Sequence, residues 1–570
     1  MENEQIIKSL KLYVSLMELH EENPFKVKSI QNAVFSLEKI DTPLKTLQAG
    51  EIEKLEGIGK SVSAKIADLI TKGSFDELDE LAGKTPLGII SMLDIKGLGP
   101  KKIRTIWKEL DIAGPDELLK ACEENRISQL KGFGEKTQEA IRQVLVFANK
   151  QRGLFLYAEL EATAERIETD LKSILPGTAI SLSGEIRRRM EVISLIQFVA
   201  GTDEPASALS ALREIPYLEK DHALSSPFIW RGAEKRSSVQ VEIRFYSHEE
   251  FHKKVFLHSL NPRHLTLKNN EGIVIGDYLR KNAFVSEETF YKELGMQYIA
   301  PETREGMSEV TKARQYSLPT LLETKDLKGV LHNHSTYSDG IHTLEQMAIY
   351  CQQLGYEYLG ISDHSKSAFY ANGLQENRIM EQHAEIDQLN ERLFPFKIFK
   401  GIESDILSDG ALDYPDRVLA SFDFIVASIH SNLKMTQEKA TRRLLTAIEN
   451  PYTTMLGHPT GRLLLRREGY PIDHKAIIDA CVSHNVVIEI NANPYRLDMD
   501  WRHVLYAIEK GAWISINPDA HSMAEYDNMK YGVLVGRKAG LGAGQTFNAL
   551  SVEQVAAHFG IKKAAAKSLS

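Results

Sequence analysis

Cysteine is scarce in this chain: Cys122, Cys351 and Cys481 are the three in 570 residues, and none forms a Cys-x-x-Cys pair. That excludes a disulfide framework and makes a reducing cytosol the expected compartment. Long apolar runs are missing as well. No segment approaches the ~18 residues of a membrane span. The first twenty residues carry charges where a signal peptide needs an apolar stretch. A cytoplasmic protein with no membrane partner is therefore expected. Gly/Ser linkers, heptads and low-complexity tracts are absent. So is an excess of positive charge: 69 Lys+Arg against 78 Asp+Glu give a net charge of −9. This excludes a uniformly basic nucleic-acid coat but leaves room for local phosphate-binding surfaces. The 43% hydrophobic and 26% charged content is that of a globular protein rather than a disordered one. At about 150 residues per domain, the length suggests three to four domains.

Histidine is distributed unevenly. Six of the 18 precede residue 327 and twelve follow it, a step that argues for two chemistries in one chain. From 327 onward the pattern alternates strand and helix. Seven apolar runs recur, beginning near 329, 357, 396, 422, 453, 486 and 512. Repeated strand–helix units imply a parallel sheet, and this many suggest closure into a barrel. Six of the seven runs carry His, Glu or Asp at or beside their carboxyl end; the sixth run ends in Asn491 instead. The residues are His332, His334, His364, Glu403, His430, His458, Asp519 and His521, with Asp339 just after the first run. In a parallel barrel all these ends face one rim. Imidazole and carboxylate without thiolate suit manganese, zinc or iron at a catalytic site. Nine ligands exceed the needs of one ion, so two to three divalent ions are expected, bridged by a carboxylate such as Glu403. Such a cluster activates water and clamps a phosphate oxygen. His342, His383, His474, His484, His503 and His558 end no strand and read as surface or helix histidines.

Residues 1–150 read as mostly helical. A glycine pair precedes a helix-like run three times: Gly57-Ile58-Gly59-Lys60, Gly97-Leu98-Gly99-Pro100-Lys101 and Gly132-Phe133-Gly134-Glu135-Lys136. Paired glycines let backbone amides approach an anion, and the helix start adds partial positive charge. Along a nucleic acid such loops grip phosphates without reading bases. Gly57, Gly59, Lys60, Gly97, Gly99, Lys101, Gly132, Gly134 and Lys136 are the candidate DNA-binding residues.

The histidine-bearing motifs of 327–570 resemble the polymerase-and-histidinol-phosphatase (PHP) domain, and the glycine loops resemble helix–hairpin–helix motifs. Their order is similar to that of a bacterial family X DNA polymerase with a PHP domain behind it. The resemblance implies a distorted seven-stranded barrel with up to three metals. His332, His334, Glu403 and Asp519 would hold one; Glu403, His430 and His458 a second; Asp339, His364 and His521 a third. It also puts a lyase lysine at Lys65, for which a phosphate contact or a solvated side chain is the other reading. The implied boundaries are 1–83 (lyase-like), 84–150 (fingers-like), 151–255 (palm-like), 256–316 (thumb-like), 317–326 (linker) and 327–570 (PHP).

The palm departs from the family pattern. Two Mg²⁺ ions need closely spaced carboxylates. Glu185 stands where the family has serine, Leu195 and Gln197 occupy the two aspartate positions, and Glu242 occupies the third. Arg187, Arg188 and Glu191 keep the register. The expected fold is thus multidomain: helix–hairpin–helix domains, an α+β nucleotidyltransferase-like palm and an α/β (β/α)7 barrel. The expected function is metal-dependent 3′→5′ exonuclease or phosphodiesterase action in DNA repair, on gapped, nicked or single-stranded DNA ends, with a polymerase core that holds no Mg²⁺. The alternatives are an active gap-filling polymerase, a small-molecule phosphomonoesterase and a non-catalytic DNA-binding scaffold.

Overall fold

Apolar residues at three- and four-residue spacing build the first 150 residues almost entirely from helices. The computed structural model describes residues 1–569 apart from Glu2, Lys39, Asp41, Asp94 and Lys96. It forms two units, Met1–Arg152 and Gly153–Ser570. In the first unit, helices Lys60–Lys72, Pro100–Leu110 and Glu135–Lys150 each follow one glycine pair. The residue between the glycines is the anchor: Ile58, Leu98 and Phe133 are all buried in the core of this unit.

The second unit begins with a five-stranded sheet. Its spatial order is Ala179–Ser183, Leu195–Gly201, Gln240–Tyr246, Ile229–Glu234 and Leu218–Lys220. Only Leu195–Gly201 and Gln240–Tyr246 run parallel, and their register sets Gln197 opposite Glu242. The helical segment that follows packs around Phe256, Phe290 and Tyr291. The stretch 306–326, which looks like a bare connector in the sequence, is docked. Val310 and Ala313 join that helical core, and Leu322 is fully buried in the barrel core. Bulky apolar residues at the right spacing fix it there.

All seven apolar runs form strands: Gly329–Val330, Tyr358–Ile361, Lys397–Asp405, Phe424–Ser428, Met455–Leu456, Val487–Asn491 and Ile514–Asn517. They lie in chain order, every neighbouring pair parallel. The sheet nearly closes, since the His334 amide donates to the Ala520 carbonyl at 2.8 Å. The amino ends of the strands are plugged by apolar side chains. Phe559, from the last helix Val552–Leu569, lies 5.3 Å from the Phe399 ring and 5.2 Å from that of Phe424. Gly401 admits the Phe424 ring, for a Cβ there would meet it at 2.2 Å. Water is thus excluded from one end, and the polar residues collect at the other.

One buried ion-pair set ties the mixed-sheet region to the helical segment after it. Arg304 is fully buried and donates to Glu287 at 2.6 Å, while Arg187 donates to the same carboxylate at 2.7 and 3.1 Å. Burial opposes ionisation of Glu287, but Arg304 and Arg187 overcome it and hold the acid at about 2. Because this value lies below the ordinary one, the stabilisation is complete above about pH 4.5 and is lost as pH falls toward 2. Glu287→Gln leaves a buried guanidinium unpaired and should cost roughly 3–5 kcal/mol. Thermal melts at pH 7 should show that loss, and the gap between variant and parent should narrow as the pH is lowered toward 2.

Candidate metal centre

Parallel strands carry their carboxyl-end side chains to one rim, and the nine expected residues meet there. His332 and His334 follow the first strand, Glu403 lies on the third, and Asp519 follows the seventh. His332, His334 and Glu403 are fully buried. Glu403 sits at the middle. One of its oxygens is 3.2 Å from His332 Nε2, 3.1 Å from His430 Nε2 and 2.9 Å from His458 Nε2. The other is 2.9 Å from His364 Nδ1 and 3.7 Å from His334 Nε2. His334 Nε2 also lies 3.0 Å from Asp519 Oδ1. Asp339 Oδ1 is 3.6 Å from His364 Nε2 and 3.4 Å from His521 Nε2.

The electrostatics follow from this crowding. Burial pulls His332 down, but Glu489, Glu403 and Asp519 overcome it and hold it well above its usual value. Burial likewise opposes His430, which Glu403 and Asp405 lift to about 10. His334 falls to about 3 through burial and the neighbouring His521 and His364. Glu403 would be raised by burial, yet His430, His332 and His364 hold it well below the carboxylate range. Burial also opposes the ionisation of Asp339, which His521 nonetheless brings to about 2.

The donor set fits divalent cations. Four ligand-type groupings converge: His334, Asp339, His364 and His521; His332, Glu403 and His458; His332, His334 and Asp519; His364, Glu403 and His430. Several of their atoms are buried with no hydrogen-bond partner, among them His332 Nε2, His364 Nδ1 and Glu403 Oε2. A cation would satisfy them. These buried clusters are consistent with a multi-metal site. The sharing differs in detail from the expected division. His364 belongs with both Asp339 and Glu403, His334 joins the Asp339 group, and His430 and His458 approach Glu403 in separate groupings.

Sequence reasoning misses the residues that aim these ligands. Glu489, fully buried on the sixth strand, faces His332 Nδ1 at 2.7 Å and accepts from the His458 amide at 2.8 Å. Asp405 faces His430 Nδ1 at 2.5 Å. Asn491, in the sequence merely the exception among the strand ends, donates to Asp519 Oδ2 at 3.0 Å. The available signal is an acid inside an apolar strand, two residues before Asn491 and on the same face. One other reading needs correction. His342 is neither a surface nor a helix histidine: it is buried in a loop, and its Nδ1 accepts from the Met523 amide at 3.2 Å. His383 does lie on a helix, Glu376–Arg392, on the buried face, where it edges onto the Phe422 ring at 5.0 Å.

The carboxylate of the mixed sheet is arranged differently. Gln197 donates to Glu242 Oε1 at 2.6 Å, Arg231 to Oε2 at 2.7 Å, and Arg244 to both oxygens at 2.6 and 3.1 Å. Burial would raise Glu242, but Arg244, Gln197 and Arg231 hold it down. Leu195 starts the strand that carries Gln197. Glu185 turns onto Ser194, accepting from its amide at 2.7 Å and from its hydroxyl at 2.8 Å.

In the helical unit the two glycines of each pair have separate tasks. Gly57, Gly97 and Gly132 take φ of +77°, +90° and +86°, which side chains resist. Gly59, Gly99 and Gly134 are the helix N-caps and supply no capping side chain, which leaves the helix start open to an anion; the middle helix begins with Pro100, which has no amide hydrogen to offer. Lys60, Lys101 and Lys136 are exposed beside them. Lys65 is not a solvated lysine. It is 5% exposed, pairs with Glu77 and lies 4.9 Å from the Phe75 ring and 5.6 Å from that of Tyr13; its helix position turns it inward.

The fold thus joins a helical unit with three glycine-led helices to a mixed sheet and a parallel barrel whose rim gathers His, Asp and Glu. Family models match as a helix-hairpin-helix domain over 1–75, a SAM-like helix-hairpin-helix tandem over 89–145 and a PHP domain over 331–493. The DNA polymerase/3′-5′ exonuclease PolX of Bacillus subtilis is 35% identical over 569 residues, covering 98% of this chain and 99% of that protein. A probable phosphatase of Clostridium acetobutylicum is 32% identical over 165 residues, 28% of this chain and 63% of that protein. The probable phosphatase YcdX of Escherichia coli is 26% identical over 215 residues, 35% of this chain and 81% of its own. The chain belongs to the PolX family of DNA polymerase/3′-5′ exonucleases.

The residues behind the ligands carry a test. Removing such a partner typically weakens metal affinity 10- to 100-fold. Glu489→Gln should do so by releasing His332, while the thermal midpoint of the metal-free protein moves far less than for a core truncation. Calorimetric Mn²⁺ titration of the two proteins checks it.

Proposed function

We propose that the barrel mouth is a metal-dependent phosphodiesterase acting on DNA ends, with 3′→5′ polarity. The observation that carries the reading is Glu403: a fully buried carboxylate ringed by five imidazoles, with an oxygen that no hydrogen bond satisfies. His332, His334, Asp519 and Glu403 would hold cations at one side, and Asp339, His364, His521, His430 and His458 the remainder. Such ions supply Lewis-acid polarisation of a phosphoryl oxygen and lower the pKa of water. Glu489 and Asp405 orient His332 and His430 so that the ring atom facing Glu403 is the one presented. The apolar plug at the other end of the barrel keeps water to one entrance. DNA is the substrate class supported by the helix–hairpin–helix matches and by the name of the B. subtilis relative. Small phosphomonoesters are less favoured, because these probable phosphatases cover 28% and 35% of the chain, whereas the relative named for polymerase and exonuclease covers 98%.

For the palm, the comparisons favour the gap-filling alternative over the silent core: the relative aligned across nearly the whole chain is named for polymerase and exonuclease together. The side chains bear on how such synthesis would work, since Glu242 has both oxygens taken by arginines and faces a glutamine. Primer extension on gapped DNA with Mg²⁺ or Mn²⁺ divides the readings. Incorporation that Glu242→Ala abolishes supports synthesis at this palm. No incorporation, under conditions where the 3′ end is trimmed, returns the palm to a scaffold.

End-labelled oligonucleotide with Mn²⁺ should give a ladder shortened from the 3′ end, stopped by chelator. His334→Ala and Asp519→Ala should abolish it while DNA binding survives; parental digestion rates in both would refute the site. Replacing Lys60, Lys101 and Lys136 together with alanine should weaken binding to all sequences. It should also flatten the plot of log affinity against log salt by about 0.9 for each duplex phosphate that is no longer neutralised.

A further inference from the structure

The loop after the second barrel strand supplies His364 and then presents two consecutive aromatic side chains to solvent. Phe369 is 84% exposed and Tyr370 is 71% exposed. The backbone beneath them is held. Ala368 and Ala371 are buried. The Gly373 amide donates to the Ala368 carbonyl at 3.1 Å, and the Leu374 amide to that of His364 at 2.9 Å. A Cβ on Gly373 would come within 1.9 Å of the Ser365 carbonyl. The two rings therefore project from a fixed support.

Their position borders the metal centre. The Tyr370 ring centroid lies 6.1 Å from that of His364. Arg496 Nε stands 3.5 Å from Asp519 Oδ2, a cation suited to a backbone phosphate. Leaving two aromatic rings in water forgoes about 25 cal/mol for each Å² that could have been buried. An aromatic face recovers this when a nucleobase stacks on it, and such stacking tolerates any sequence. Paired bases have their faces already covered by their neighbours, whereas an unpaired terminal base offers one freely.

We propose that Phe369 and Tyr370 form a base-stacking platform beside the metal centre, so that the site takes the terminal nucleotides of a single-stranded or frayed 3′ end rather than a paired one. This rests on the phosphodiesterase reading above and specifies its substrate.

Two measurements on the full chain test it. The first uses metal-free protein in chelator and a short oligonucleotide with 2-aminopurine at its 3′ terminus. Terminal emission should be quenched by the parent and recover in a Phe369→Ala/Tyr370→Ala double variant, while Tyr370→Phe keeps the quench. Emission that ignores the double substitution overturns the platform. The second compares kcat/KM for oligonucleotides ending in a normal or an abasic 3′ nucleotide. The parent should prefer the base by roughly 10- to 100-fold, and the double variant should lose that preference; an equal preference in both also overturns it. Hydrolysis by the parent of a chromogenic phosphodiester lacking any base reads the metal centre alone. Its failure would remove the phosphodiesterase reading while the chelator experiment still judged the stack.

Discussion

The barrel is organised around one buried carboxylate. Glu403 is carried to the middle of the rim by the longest barrel strand, Lys397–Asp405, and five histidines from four strand ends face it. An ion taken out of water costs several kcal/mol unless neighbours compensate it. Here the compensation comes from imidazoles that in turn need aiming by Glu489 and Asp405. Each layer thus requires the next, and the polar shell spreads outward until it reaches backbone amides and solvent. The dry aromatic plug at the opposite end completes the division of the barrel into an apolar half and a reactive half.

Glu242 in the palm makes an instructive contrast. Both carboxylates are buried and both are held low. Glu242, however, spends its oxygens on Arg231, Arg244 and Gln197, side chains that already carry the protons they donate. Glu403 faces imidazoles, which can give up a proton and present a lone pair to a cation. Arginine cannot do so at any ordinary pH. Two buried carboxylates of one residue type are thus satisfied in different ways, one by arginines and a glutamine, the other by imidazoles.

Much of this is legible in the sequence because it depends on periodicity. Seven apolar runs become seven strands, and a ligand type at a strand end becomes a rim residue, so all nine can be named from residue order alone. The glycine pairs are legible for the same reason: a positive φ and a bare N-cap are local demands. What escapes is non-local. Glu489 looks like an interruption of an apolar strand until the His332 ring is placed against it. Lys65 looks like a surface lysine until the helix is rotated against Tyr13 and Phe75. His342 passes for a surface residue because loop membership says nothing of which side faces the core. The 306–326 stretch passes for a connector because short docked segments have no period to recognise.

Lys538 is almost wholly buried and reaches the Arg188 carbonyl at 3.1 Å, the Glu302 carbonyl at 3.1 Å and the Glu305 carboxylate at 2.5 Å. A lone ammonium or a lone carboxylate in that setting would be severely penalised. Glu305 and Lys538, 233 positions apart, therefore couple the barrel to the segment before it. Removing Glu305 would leave the Lys538 ammonium with the two carbonyl oxygens as acceptors, while removing Lys538 would leave Glu305 paired with Arg188, 3.2 Å away. An electrostatic seam joins the two halves of this unit.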